Sequence, residues 1–256
     1  MSQRETRGEG TGGETTADTA FLAARWDAEY RNQRYVAEPP LPFVDRILHT
    51  LRADAAAARG VGLYVGCGNG RNFVPLVDAS LDLFGLDVSG EAIEQLARRC
   101  PTLPRHRLLH GELRTFRTPI SHFDYIIAIQ VLQHGGESDV AAYFGAIATL
   151  LRPGGLVFVR VNSASTQVYH AHTIVERNEL GGFTVRYDDG PKTGLLIHFY
   201  SRAELIRHLD RAFTVVDPPR EDVIAREPAK SGSWAQWETI WRRASGQSGG
   251  DREAVS

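Results

Sequence analysis

Gly66, Gly68 and Gly70 stand directly behind a short apolar run, in Val61-Gly-Leu-Tyr-Val-Gly-Cys-Gly-Asn-Gly-Arg-Asn-Phe-Val74. Glycine suits such a turn because some positions need a positive φ and others must let a ligand reach the bare backbone. The segment reads as a buried strand, a tight turn and a helix start, the way nucleotide-like cofactors are seated, although such a turn can also be purely structural. The spacing is G-x-G-x-G, and Arg71 stands where the dinucleotide fingerprint wants a small residue, which points away from NAD. About 20 residues beyond Gly66 comes Asp87, a carboxylate able to accept both hydroxyls of a ribose or to cap the following helix. The third apolar run leads to His110-Gly-Glu112, whose carboxylate can meet the amino edge of an adenine. The fourth ends at Gln130-Val-Leu-Gln-His134. His134 titrates near neutrality in its ordinary state, which makes it the candidate general base; a histidine that packs or bonds a loop is the alternative.

These residues need a scaffold that delivers them to one edge. Short apolar runs at Gly62–Val65, Leu81–Leu86, Arg105–Leu109, Tyr125–Gln130 and Leu156–Val161 alternate with mostly helix-length stretches. Such alternation implies an α/β, doubly wound, mostly parallel sheet that binds ligands beyond the carboxyl ends of its strands. Ser89 can cap a helix over Glu91–Arg99, and Ser138 or Asp139 can start one over Val140–Leu151, which Arg152-Pro-Gly-Gly155 breaks. Ahead of the sheet, Phe21–Tyr35 has mostly helical spacing and stops before Pro39-Pro40. Phe43–Ala58 reads as a second helix ended by Gly60. Beyond Asn162, Ser163–Asn178 is helix-prone, and two alternating runs around Asp188-Asp-Gly-Pro-Lys-Thr-Gly194 form a hairpin. Ser201 caps Ala203–Leu209, Phe213–Asp217 is a strand, and Trp234–Arg242 reads as a closing antiparallel strand, although its tryptophans also fit a helix. The expected layout is a disordered leader over 1–19, a single domain over 20–244 and a disordered tail over 245–256. The domain comprises a helical cover at 20–59, the sheet, and a lid at 163–200 after the fifth strand.

Together the motifs resemble the class I S-adenosylmethionine-dependent methyltransferases, of the kind that act on small molecules. The resemblance rests on Val65-Gly-Cys-Gly-Asn-Gly70, Leu86-Asp87-Val-Ser89, Gly111-Glu112-Leu113, Phe123-Asp-Tyr-Ile126 and Leu151-Arg-Pro-Gly-Gly-Leu156, five segments in the family's order and spacing. It implies a Rossmann-like sheet of about seven strands, the last antiparallel, and S-adenosyl-L-methionine as cofactor. It places Gly66, Cys67, Gly68 and Asn69 under the methionyl part, Asp87 and Val88 at the ribose, Gly111, Glu112 and Leu113 by the adenine, and Gln130 at the sulfonium end. Tyr30 and Tyr35, with Arg34, can close over the amino-acid end. One departure stands out: the family often has an acidic residue two places before the first glycine, and this chain has Tyr64.

Methyl transfer is an in-line displacement at an activated carbon, so the protein chiefly brings the partners together and excludes water. The acceptor then lies between the N-terminal helices and the lid, where His134, Tyr169 and His198 are the substrate-facing candidates. His198 has opposite parity to Leu195, Ile197 and Phe199, so it either lines a pocket or faces solvent. His170 and His172 invite a metal reading, but no acidic or cysteine ligand accompanies them and the chemistry needs none. The composition is that of a soluble globular protein, with 42% hydrophobic and 23% charged residues in 256 and a net charge of −2. That charge gives no footprint for nucleic acid or anionic membrane. Two cysteines, Cys67 and Cys100, build no disulfide framework. No run is long enough to span a bilayer, and residues 1–19 have no signal-peptide core, so a cytoplasmic monomer or homodimer is expected. The sequence points to methyl transfer to oxygen or nitrogen of a small molecule. A peptide or protein acceptor, or a non-catalytic cofactor-binding module, are the other readings.

Overall fold

The computed structural model describes residues 14–118, 120–227 and 231–245. Five parallel strands form its centre: β1 (Val61–Val65), β2 (Asp82–Asp87), β3 (Leu108–His110), β4 (Phe123–Ile129) and β5 (Leu151–Asn162). With β9 (Phe213–Ala225) and β10 (Ser233–Arg243) they make one seven-stranded sheet in the order β3-β2-β1-β4-β5-β10-β9, β10 running antiparallel to both neighbours. The expected Rossmann-like sheet with an antiparallel last strand is what forms. Its central strands are apolar almost throughout because helices cover both faces. Leu63, Ile126, Ala128 and Val159 point to one side with α6 (Glu137–Leu150) and α7 (Arg202–Leu209). Tyr64, Ile127 and Phe158 point to the other, against α2 (Phe43–Ala53), α4 (Phe73–Asp78) and α5 (Gly90–Arg99). Gly62 is needed at the centre, since a Cβ there would lie 2.1 Å from the Tyr125 ring.

Helix α1 (Glu14–Arg31) starts inside the stretch expected as a leader, while residues 1–13 and 246–256 lie outside the described residues. It ends at Arg31, so Tyr35 sits in the following turn with φ +66° rather than on the helix. The second expected helix is two, because at Asp54 the backbone leaves the helical region and the carboxylate caps a new turn, α3 (Ala55–Ala58), accepting from the Ala57 amide. Strand β9 runs well past the expected end at Asp217, through Pro218-Pro219. Proline lacks a ladder donor, but β9 is an edge strand and its register against β10 shifts there, so the sheet tolerates both.

The lid is a second sheet, β6 (His172–Arg177), β7 (Phe183–Tyr187) and β8 (Leu196–Phe199), in that order. The hairpin is as expected, but the helix-prone stretch is not helical. Thr173, Ile174 and Val175 are β-branched, and Ile174 finds a partner in Val185 on β7, so strand pairing overrides local propensity. His198 belongs to the lid's anchor rather than to a pocket or to solvent. It is buried, with Nδ1 2.9 Å from the Thr184 hydroxyl and Nε2 3.0 Å from Glu204 of α7. Burial alone pushes the Glu204 carboxyl up, but hydrogen bonds from His198 and His208 prevail and hold it at about 2 against an ordinary 4.5. A depressed carboxyl stabilises the fold above its unfolded pKa and ceases to as pH falls through the folded one. Glu204→Gln is therefore expected to flatten the loss of stability between about pH 4.5 and pH 2, read by urea unfolding at a series of pH values.

Candidate active site

The end of β1 hangs on the end of β2. Leu86 O accepts from the amides of Gly66 at 2.7 Å and Cys67 at 3.2 Å. The Asp87 carboxylate then takes the Gly68 amide on Oδ2 at 2.8 Å and the Ser89 amide on Oδ1 at 2.9 Å. Gly66 and Gly68 adopt φ of +68° and +54°, and a Cβ on Gly68 would lie 2.6 Å from the Tyr30 hydroxyl oxygen. Glycine is thus required twice over, by conformation and by close approach. Asp87 is buried, and burial lifts its carboxyl to about 6 although both amides pull it down.

Helix α1 roofs this floor, pinned through polar contacts. Asp27 accepts from the Ser89 hydroxyl at 2.5 Å and from the Glu91 amide at 3.1 Å, at the N-terminus of α5, where the helix favours negative charge. Gln95 donates to Tyr30 O at 2.8 Å, and Asn69 donates to Arg34 O at 2.9 Å. The rings of Trp26, Tyr30 and Tyr35 contact one another beneath the roof.

Under it lies a cavity of about 470 Å³. Tyr30, Tyr35, Gly66, Cys67, Gly68, Asn69, Asp87, Val88, Gly111, Glu112, Leu113, Gln130 and His134 all border it, whereas Arg34 borders only the outer cavity described next. Glu112 arrives with its carboxylate already engaged, accepting from Arg114 Nε at 2.8 Å and from the Arg114 amide at 3.0 Å. Gln130 has φ +58°, its amide donates to Arg160 O, and its side chain donates to Gln236 at 3.0 Å. Tyr64, in place of the family's acid, is buried, with its ring edge-on to Phe73. Beside it the cavity also touches Arg71, Asn72 and Glu38, and Arg71 pairs with Glu38 at 2.7 Å.

A second cavity, about 660 Å³, shares Trp26, Tyr35, Glu38, Lys192, Ile224 and Trp234 with the first. Tyr169 borders this outer chamber and not the inner one, whereas His198 borders neither. His134 sits on the inner wall, its ring edge-on to Trp26 at 5.4 Å and its Nδ1 buried without a hydrogen-bond partner. Burial, reinforced by the nearby Lys192 charge, lowers its pKa to about 3. It is therefore a neutral imidazole at neutral pH and not a base that titrates there. His170 pairs with Asp189 at 3.2 Å, and among the described residues no group of three or more His, Cys, Asp or Glu is arranged to hold a metal. Sequence reasoning missed Asp27 as the roof's anchor, Trp234 as a shared wall and Lys192 as a cavity residue, because no local pattern announces a contact made across the fold.

Residues 63–155 match the family model of a methyltransferase domain. Over 99 residues the chain is 30% identical to the ubiquinone biosynthesis O-methyltransferase of Bradyrhizobium sp. (strain ORS 278), a match spanning 38% of each chain. It also resembles the crystal structure of Burkholderia thailandensis 1,6-didemethyltoxoflavin-N1-methyltransferase with bound 1,6-didemethyltoxoflavin and S-adenosylhomocysteine. That likeness has a TM-score of 0.62 at 17% identity and covers 94% of both chains. The magnesium protoporphyrin IX methyltransferase of Synechocystis PCC 6803, solved with bound S-adenosylmethionine, gives a TM-score of 0.59 at 14% identity, covering 89% of this chain and 97% of that one. The fold around residues 63–155 is that of the class I methyltransferases. The matched segment is less than half of the chain, and the likeness to the solved structures is one of fold; both of those neighbours hold S-adenosylmethionine or S-adenosylhomocysteine. Among the described residues no helix is long and apolar enough to cross a membrane.

The inner cavity fits that cofactor by its bare glycine floor and by Asp87, whose oxygens each retain a lone pair for a ribose hydroxyl after accepting one amide. The ionised carboxylate is the form that accepts both, so affinity for S-adenosylhomocysteine is expected to fall as pH drops below about 6. Asp87→Asn should remove that pH dependence and weaken binding at pH 8 by about 1–3 kcal/mol, measured by calorimetry. Because the folded pKa is raised above the ordinary 3.8, the same variant should also spare the free protein the loss of stability between pH 3.8 and about 6.

Proposed function

We propose that this chain is an S-adenosylmethionine-dependent methyltransferase that methylates an oxygen or nitrogen of a small-molecule acceptor. The observation that carries the reading is the pair of joined chambers, one floored by the glycine loop and Asp87, the other roofed by the lid and α1, meeting at Trp26, Tyr35 and Trp234. S-adenosylmethionine, when bound, supplies a methyl group on a positively charged sulfur, already activated for displacement. Asp87 would accept the ribose hydroxyls, and Gly111, Glu112 and Leu113 would flank the adenine. Glu112 is held in place there by Arg114. The Arg71–Glu38 pair offers opposite charges to the zwitterionic amino-acid end, the task that an acid in place of Tyr64 would otherwise share.

The acceptor enters through the outer chamber, and the aromatic walls set its plane and exclude water, which is most of what an in-line displacement needs. These walls would hold an acceptor lone pair facing the methyl group that the bound cofactor would supply. A small acceptor is supported by the size of the outer chamber, about 660 Å³, and by the names of the structural neighbours. The net charge of −2 supports a reading without nucleic acid.

Calorimetry with S-adenosylmethionine and S-adenosylhomocysteine is expected to show binding of both, and binding of neither would overturn the reading. Candidate acceptors incubated with methyl-labelled cofactor identify the product by mass. Because His134 stays neutral, the rate between pH 6 and pH 8 should show no ionisation that His134→Ala removes. A step that disappears in the variant would restore His134 as the base.

A further inference from the structure

Lys192 is one of only two lysines in a chain whose other strong cations are all arginine. It stands in the turn between β7 and β8 and borders both chambers. Of the cations bordering the inner chamber, Arg71 pairs with Glu38. In the outer chamber Arg34 pairs with Glu29 at 3.6 Å, while Arg25 and Arg226 border that chamber alone and donate to the carbonyls of Pro191 at 3.1 Å and Ser231 at 3.2 Å. The Lys192 ammonium makes no ion pair or hydrogen bond with any described residue, and the nearest acid bearing on it, Glu29, is the one already paired with Arg34. On its other side stands His134, with Nδ1 unpartnered. Removal from water disfavours the charge on both groups. A lining cation left without a protein counter-charge selects for a ligand that brings one, and the flat walls of Trp26, Tyr35 and Trp234 select for a planar ring.

Resting on the methyltransferase reading above, we propose that Lys192 is the acceptor-recognition residue, binding an ionised oxygen of a planar aromatic acceptor at the junction of the two chambers. The acceptor is thus an aromatic acid, carrying either a carboxylate or an ionised hydroxyl, rather than an amine or a neutral alcohol. Where that ionised oxygen is itself the nucleophile, the acceptor has lost its proton before it binds. The oxygen then forms the bond to the methyl carbon, the sulfur keeps the electron pair, and no protein base is called for. That agrees with a His134 that stays neutral and serves as a hydrogen-bonding wall.

The test uses the full chain saturated with S-adenosylhomocysteine and two matched probe pairs, benzoate with benzamide and 4-nitrophenolate with 4-nitroanisole, followed by ligand-observed NMR and calorimetry. The expected result is binding of at least one anion about tenfold or more tighter than its neutral partner. Lys192→Met and Lys192→Gln should abolish the preference, and Lys192→Arg should keep it. Preference for benzoate alone marks a carboxylate anchor, and preference for 4-nitrophenolate marks the reacting oxygen. Equal binding of the neutral partners, an unchanged preference in both neutralising variants, or no binding of any probe would overturn the proposal. Failure to bind S-adenosylhomocysteine is a separate outcome that defeats the methyltransferase reading. The same probes on the free protein then still decide the role of Lys192.

Discussion

The Asp87 carboxylate sits where the first two strands of the sheet hand over to their loops, and each of its oxygens accepts one backbone amide, from Gly68 and from Ser89. A buried charge is held only where hydrogen bonds replace water, and here the replacements come from two different loops. The group thereby sets the path of the glycine turn and the entry into α5 at once. Everything that borders the inner cavity is placed relative to this point. The roof reaches it through Asp27 and Ser89, the third strand through the Gly111 amide bonded to Asp87 O, and the floor through Gly68. Burial outweighs the two amides and lifts the carboxyl to about 6.

The sheet was legible because its strands are buried on both faces and so read as short apolar runs, and because glycine, aspartate and the Pro-Gly-Gly turn mark the places where backbone geometry is restricted. The residues that border the inner cavity were legible for the same reason, since backbone turns impose local residue types. The lid was half legible. Its hairpin carries a turn signature, but β6 owes its state to pairing with β7, which a single segment cannot announce. Pro218-Pro219 concealed the length of β9, because only the tertiary structure says that this strand is at an edge.

Histidines tested the limits of reading side-chain type as role. His198 and His134 look alike in sequence, one within an alternating apolar run and the other shortly after one. Their environments separate them. His198 has a hydroxyl on one nitrogen and a carboxylate on the other and anchors the lid, whereas His134 lies against a tryptophan with a bare nitrogen. Burial and partners are properties of the fold, so no inspection of residue type assigns them in advance.

The roof over the inner cavity touches the floor directly, through the Tyr30 hydroxyl above Gly68, and is fastened by the Asp27, Gln95 and Asn69 hydrogen bonds. At a net ~0.5–1.5 kcal/mol each, these fasteners sum to a few kcal/mol, far less than the sheet itself resists. Parting α1 from the floor therefore means breaking these four contacts and baring the buried Tyr30 ring, a smaller disruption than parting any two strands of the central sheet.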